Sequence, residues 1–88
     1  MPRFYLHLRD STDELLDPEG TELVNVEAAA ARALREARCI ISDEVKGGQL
    51  KLAQRIDVED QAGALVYSLA FRQAVEIVDE QAPASASG

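Results

Sequence analysis

The sequence has no tryptophan, and only two phenylalanines and two tyrosines among its 88 residues. Aromatic side chains bury the most apolar area per residue, so the core here must come from aliphatic residues and alanine, and one modest layer is all it can fill. A single cysteine excludes an internal disulfide and agrees with a reducing, cytoplasmic setting. No apolar run approaches the roughly twenty residues that cross a bilayer. The opening MPRFYLHLRD also lacks the long uncharged stretch of a signal peptide. Positive charge is scarce: nine Lys and Arg stand against sixteen Asp and Glu, a formal net charge of -7. That balance argues against nucleic acid and against a membrane surface as partners, because phosphate binding is driven by basic surface. A protein partner, basic or a second copy of the chain, remains compatible with it. There is no glycine-rich phosphate loop, no Cys/His zinc spacing and no Ser/His/Asp pattern with recognisable context, so no cofactor or metal is expected.

What is present is one strong helix signal, VEAAAARALREARCIISDEVK, over residues 26–46. Asn25 precedes it as an N-cap, and Gly47-Gly48 can adopt the left-handed conformation that ends a helix. At helical spacing Val26, Ala30, Ala33, Leu34, Ala37, Ile40 and Ile41 form an apolar flank that needs a sheet to cover. Upstream, residues 3–9 alternate: Phe4, Leu6 and Leu8 point one way, Arg3, Tyr5, His7 and Arg9 the other, as in a half-buried strand. Residues 14–16 make a short second strand, ended by the Asp17-Pro18-Glu19-Gly20 turn. Val24 is expected to staple the first helical turn. Downstream, Arg55 to Glu59 alternates with Ile56 and Val58 inward, and Asp60 to Gly63 is a hairpin connection with glycine where φ is positive. The partner strand runs from Ala64 to about Ala70 with Leu65, Tyr67 and Leu69 as the favoured inward set, while the opposite phase would bury Val66 instead. Apolar residues at 71, 74, 75 and 78 predict a short second helix. Residues 81–88, APASASG preceded by glutamine, read as a disordered tail. The expectation is one α+β domain over residues 1–80: a small antiparallel sheet in β-β-α-β-β order, one long helix across one face, and a short C-terminal helix.

Four motifs then occur in a fixed order: the opening M-P-R-F-Y-L-H-L-R-D, the D-P-E-G-T-E-L turn, the A-A-A-A-R-A-L-R-E-A-R helix and the V-x-D-x-x-G hairpin. In this the chain resembles a family of small bacterial domains of unknown function whose members typically begin M-P-R-Y-F-F-H-L-R-D-G. The resemblance runs to about Val75 and implies no activity, since that family has no assigned substrate or catalytic residues. Ser11 departs from the pattern, where glycine is common.

His7 shares the outer phase of its strand with Tyr5 and Arg9, and an imidazole beside a phenol and the nearby Asp57 carboxylate has the groups for acid or base chemistry. A partly exposed histidine making cross-strand contacts on the outer face is the favoured account, and His7 is then dispensable for folding. Cys39 falls opposite the apolar flank near Arg32, Arg35 and Glu36, without a histidine on its own helix to activate it. Asp10, Asp13, Glu14, Asp17, Glu19 and Glu22 cluster in one loop, but at no calcium-loop spacing. Arg32, Arg35 and Arg38 step along the helix as a basic stripe, with Arg32 already set to pair with Glu36.

Two functional classes follow. The first is a non-catalytic interaction or self-association module, in which an uncovered sheet face or edge meets a protein or a second copy; Tyr5, His7, Arg9, Arg32 and Arg35 are its candidate surface. An antitoxin-like variant rests on the hairpin and Ala-rich helix, an analogy of fold alone. The second class is a small ligand-binding or enzymatic domain built around His7. A concave pocket holding Tyr5, His7 and Arg9 would separate the second from the first.

Overall fold

Helix α1 spans Val26–Lys46, and both of its ends are closed as the sequence requires. The Asn25 Oδ1 accepts from the Ala28 N–H at 2.8 Å, satisfying one of the amides that a helix start leaves without a partner. At the other end Gly48 takes φ 86° and its N–H donates to the Val45 carbonyl at 2.9 Å, turning the chain out of the helix. In this computed structural model, residues 1–79 are described; the C-terminal segment expected to be disordered lies outside them.

The strands are β1 (Arg3–Arg9), β2 (Glu14–Leu15), β3 (Thr21–Glu22), β4 (Arg55–Glu59) and β5 (Leu65–Ala70), followed by a single turn of helix, α2 (Phe71–Ala74). They form one antiparallel sheet in the order β2-β1-β4-β5, with β3 pairing to the other end of the same edge of β1. The α+β class, the long helix and the short C-terminal helix agree with expectation, while β3 is an addition to the four strands read from the sequence. Thr21 and Glu22 pair with Phe4 and Arg3. The β1–β4 register sets Leu6 opposite Val58 and Leu8 opposite Ile56 on the helix side, and His7 opposite Asp57 on the far side.

The core lies between α1 and the sheet: Phe4, Ile56, Val58, Leu69, Phe71 and Ala74 pack under Ala29, Ala33, Ala37 and Ile41. Ala33, Ala37 and Ile41 of the expected flank are buried, and Ala29 joins them in place of its outer members. Val26 is exposed, and Leu34 and Ile40 are only half-buried. The cause is size: a row of alanines lets the helix axis approach the sheet closely, and the larger side chains then straddle the contact line instead of lying beneath it.

Three further expectations are corrected. Val24 is exposed and Leu23 packs on the core in its place. Leu65 points outward, because a bulge between Val58 and Glu59 shifts the β4–β5 register at that end. Helix α2 stops at Ala74 and does not reach Val78. The Ala74 carbonyl accepts from Arg38 Nε at 2.8 Å, which takes the acceptor a continuing helix would need, and Val78 is exposed with no core to reward a further turn. The connection between α1 and β4 is held by the buried Gln54, whose Nε2 donates to Glu44 Oε2 at 2.7 Å and to the Lys51 carbonyl at 3.0 Å.

Candidate functional site

Strand alternation brings Tyr5, His7 and Arg9 side by side on the face of the sheet away from α1, and the β4 register adds Glu59, Asp57 and Arg55 directly opposite them. Two arginines directly opposite each other are unfavourable. The neighbouring Asp57 offsets this by accepting from both: Arg9 Nη1 lies 2.9 Å and Arg55 Nε 3.1 Å from its Oδ2. From β5, Ser68 Oγ donates to Asp57 Oδ1 at 2.6 Å. Arg9 also donates through Nε to Glu14 at 2.9 Å and lies 3.6 Å from Glu59.

Asp57 is buried. That burial acts to raise its carboxyl pKa, but the hydrogen bonds from Ser68, Arg9 and Arg55 outweigh it and hold the group below its ordinary value. Arg9 moves the opposite way. Its bonds to Glu14 and then Asp57 fix it more firmly in the charged state.

His7, expected to be partly exposed and dispensable, is buried at 8% exposure. Its Nδ1 accepts from the Asp17 N–H at 3.0 Å, so that nitrogen carries no proton in this arrangement. Its Nε2 faces Glu59 Oε1 at 3.4 Å. The Tyr5 ring stacks on it with centroids 6.4 Å apart and 14° between planes. Asp17 anchors the whole edge: its carboxylate accepts from the N–H groups of Leu6, Glu19 and Gly20, replacing a strand over the middle of β1. The loop acids do not gather around a common point, and among the described residues no three His, Cys, Asp or Glu side chains converge as a metal site.

Arg32 and Arg35 lie on α1, on the opposite side of the sheet from Tyr5, His7 and Arg9, so the five candidate residues do not share one surface. Arg32 sits 3.7 Å from Glu36, and Cys39 is exposed on the helix. The sequence reading passed over Arg55, Glu59 and Ser68, and it met Asp17 only as a turn residue and one of the loop acids. The first two were available from the alternation in β4. Ser68 depends on a register set by the bulge, and Asp17 acts through backbone contacts that no pattern announces.

Apolar surface is found elsewhere, along both flanks of α1. Toward β2, a cleft of about 180 Å3 is lined by Leu6, Leu8, Leu15, Leu16, Ile40 and Ile56, with Asp17 and Glu36 at its rim. Toward β5, a groove of about 470 Å3 is lined by Ala30, Ala31, Leu34, Tyr67, Leu69 and Gln73, with Ser68 beside them. No helix is long and apolar enough to cross a membrane among the described residues.

A polar sheet face whose charges are paired with one another, backed by a single helix over an aliphatic core, defines a small α+β domain. The chain belongs to a family of domains of unknown function, DUF6894, whose sequence pattern matches residues 3–72, from the start of β1 into α2. Comparison with curated proteins and with solved structures returns no match.

Proposed function

We propose that the domain is a non-catalytic interaction module that associates with a second copy of itself. The observation that carries this reading is the apolar surface left on both flanks of α1. One helix cannot span the sheet, so Leu15 and Leu16 stand 69% and 50% exposed on one side and the Leu34 groove opens on the other. Contiguous apolar surface of this kind marks a site of association, and two-fold pairing is the commonest way for a soluble chain to cover it. The outer face supports the same reading from the other direction. His7 Nδ1 is committed to the Asp17 N–H and Asp57 accepts from three donors, so these groups are already engaged in structure.

Sedimentation velocity from low to high micromolar concentration tests the proposal. A reductant excludes a Cys39 disulfide, and moderate salt screens the repulsion between two acidic copies. A concentration-dependent dimer is expected; a monomer throughout the range would sink the reading.

A further inference from the structure

We infer that the second copy docks through the edge of β5 and the adjoining flank of α1, so that two sheets join antiparallel across a two-fold axis. This deepens the self-association reading above and rests on it.

Three observations converge there. First, β5 is LVYSLA: six residues with no charge, no proline and no glycine. It pairs with β4 on one side, and nothing among the described residues pairs with the other. Edges of soluble proteins are usually guarded by lysine, proline, a bulge or a covering loop, because free N–H and C=O groups in extended backbone are a template for pairing. The one irregularity here is confined to the Leu65 end, so the rest of the strand can add a partner in register.

Second, the groove between α1 and β5 opens beside that edge, with Ala31 exposed at its lip and Leu34, Tyr67 and Leu69 inside it. A strand added to β5 brings its own helix alongside, and that helix would close the groove.

Third, the helix flank on this side is self-complementary. Glu27, Ala31, Leu34 and Arg38 follow one another at helical spacing, and Arg38 is placed on the β5 side by its bond to Ala74. Turning a second copy by 180° runs the two helices antiparallel and maps Glu27 onto Arg38 and Ala31 onto Leu34. Opposite charges then meet at each end, and a small residue faces a large one at each central position. The layers match in extent, since six strand residues cover about 20 Å and helix residues 27–38 about 17 Å. An unrelated partner would have no reason to meet this spacing, whereas an isologous interface needs it.

The test compares full-length variants by sedimentation, with circular dichroism melts to confirm folding. Ala31→Glu is at an exposed position and should fold normally while weakening the dimer roughly ten-fold or more. Glu27→Arg should weaken it as well, by setting like charges together, and Glu27→Arg combined with Arg38→Glu should restore it. Amide exchange in β5 should slow as dimer forms. A dimer of unchanged affinity in Ala31→Glu and Glu27→Arg, with β5 amides insensitive to concentration, overturns this interface and leaves self-association standing. A wild-type monomer overturns both. Folded monomers of Ala31→Glu beside a dimeric wild type, with charge-swap rescue, establish the two-fold arrangement.

Discussion

The two edges of the sheet are finished in opposite ways. On the β1 side the backbone is covered along its length: β2 pairs at Leu8 and Arg9, β3 at Arg3 and Phe4, and Asp17 takes the Leu6 N–H between them. Charged side chains crowd that border, with Arg3 near Glu22 at 3.8 Å and Arg9 on Glu14. On the β5 side the strand carries no charged residue, and among the described residues nothing pairs with its outer edge. A chain that guards one edge with two short strands and a side chain shows what protection looks like in its own idiom, and the bare edge is therefore informative.

The largest expected effect comes from breaking the guarded edge at Gly20. This residue has φ 72°, and an added Cβ would lie 2.8 Å from the Phe4 carbonyl and 2.9 Å from the Tyr5 ring. Gly20→Ala should cost roughly 2 to 4 kcal/mol in urea titrations, combining backbone strain with a clash against backbone that cannot move aside. A loss under about half a kcal/mol would mean that the turn repacks freely. Asp17→Ala comes next, at about 1 to 3 kcal/mol, because it strips the acceptor from three N–H groups. Asp17→Asn retains an oxygen and should recover part of that loss.

His7→Ala should remove about 1 to 2 kcal/mol, since it orphans the Asp17 N–H and removes the ring that stacks with Tyr5. No measurable change in melting temperature would return His7 to the dispensable surface role its strand phase suggested. The pH response follows from Asp57. Its folded pKa is lowered, so its contribution is fully present above the ordinary carboxylate value of about 4 and is lost as pH falls through the folded value. Acid titration followed by circular dichroism should show a shallower loss between pH 5 and acid extremes, roughly, in Asp57→Asn than in wild type. At the bare edge the smallest effect is expected: Leu65→Lys, at an exposed position, should leave monomer stability within about 0.5 kcal/mol. Its signature belongs to association alone, and a large thermal shift in the monomer would mean that this edge is covered after all.

Strand phase and helix limits were legible because they depend on neighbours in sequence: the alternation of residues 3–9, the Asn25 cap and the positive φ of Gly63. The helix face was less so. In VEAAAARAL, consecutive alanines give several adjacent rows the same apolar weight, and only the sheet decides that Ala29 and Ala33 are the row beneath. Leu34 is half-buried on a flank, so Leu34→Ala has less to lose than a mid-core leucine would. The phase of Leu65 depended on a bulge at Val66 in its own strand. The outer-face cluster was half visible, as Tyr5, His7 and Arg9 share a strand. The burial of His7 was not, because it comes from a loop ten residues further on.

The central position of β1 has a consequence for synthesis. Strand β1 is flanked on one side by β2 and β3, which follow at once, and on the other by β4, whose Asp57 contacts Arg9 at a sequence separation of 48. At about 5 to 20 residues per second, the ribosome takes several seconds to supply that partner. Helix α1 emerges within the same interval and can form in microseconds. A nascent chain thus carries a half-paired apolar ribbon for seconds, and the completed helix beside it for about 0.5 to 2 seconds, before the sheet can close. During that window Phe4, Leu6 and Leu8 are shielded only by α1, which makes the alanine row a temporary lid on the growing chain as well as a floor for the finished core.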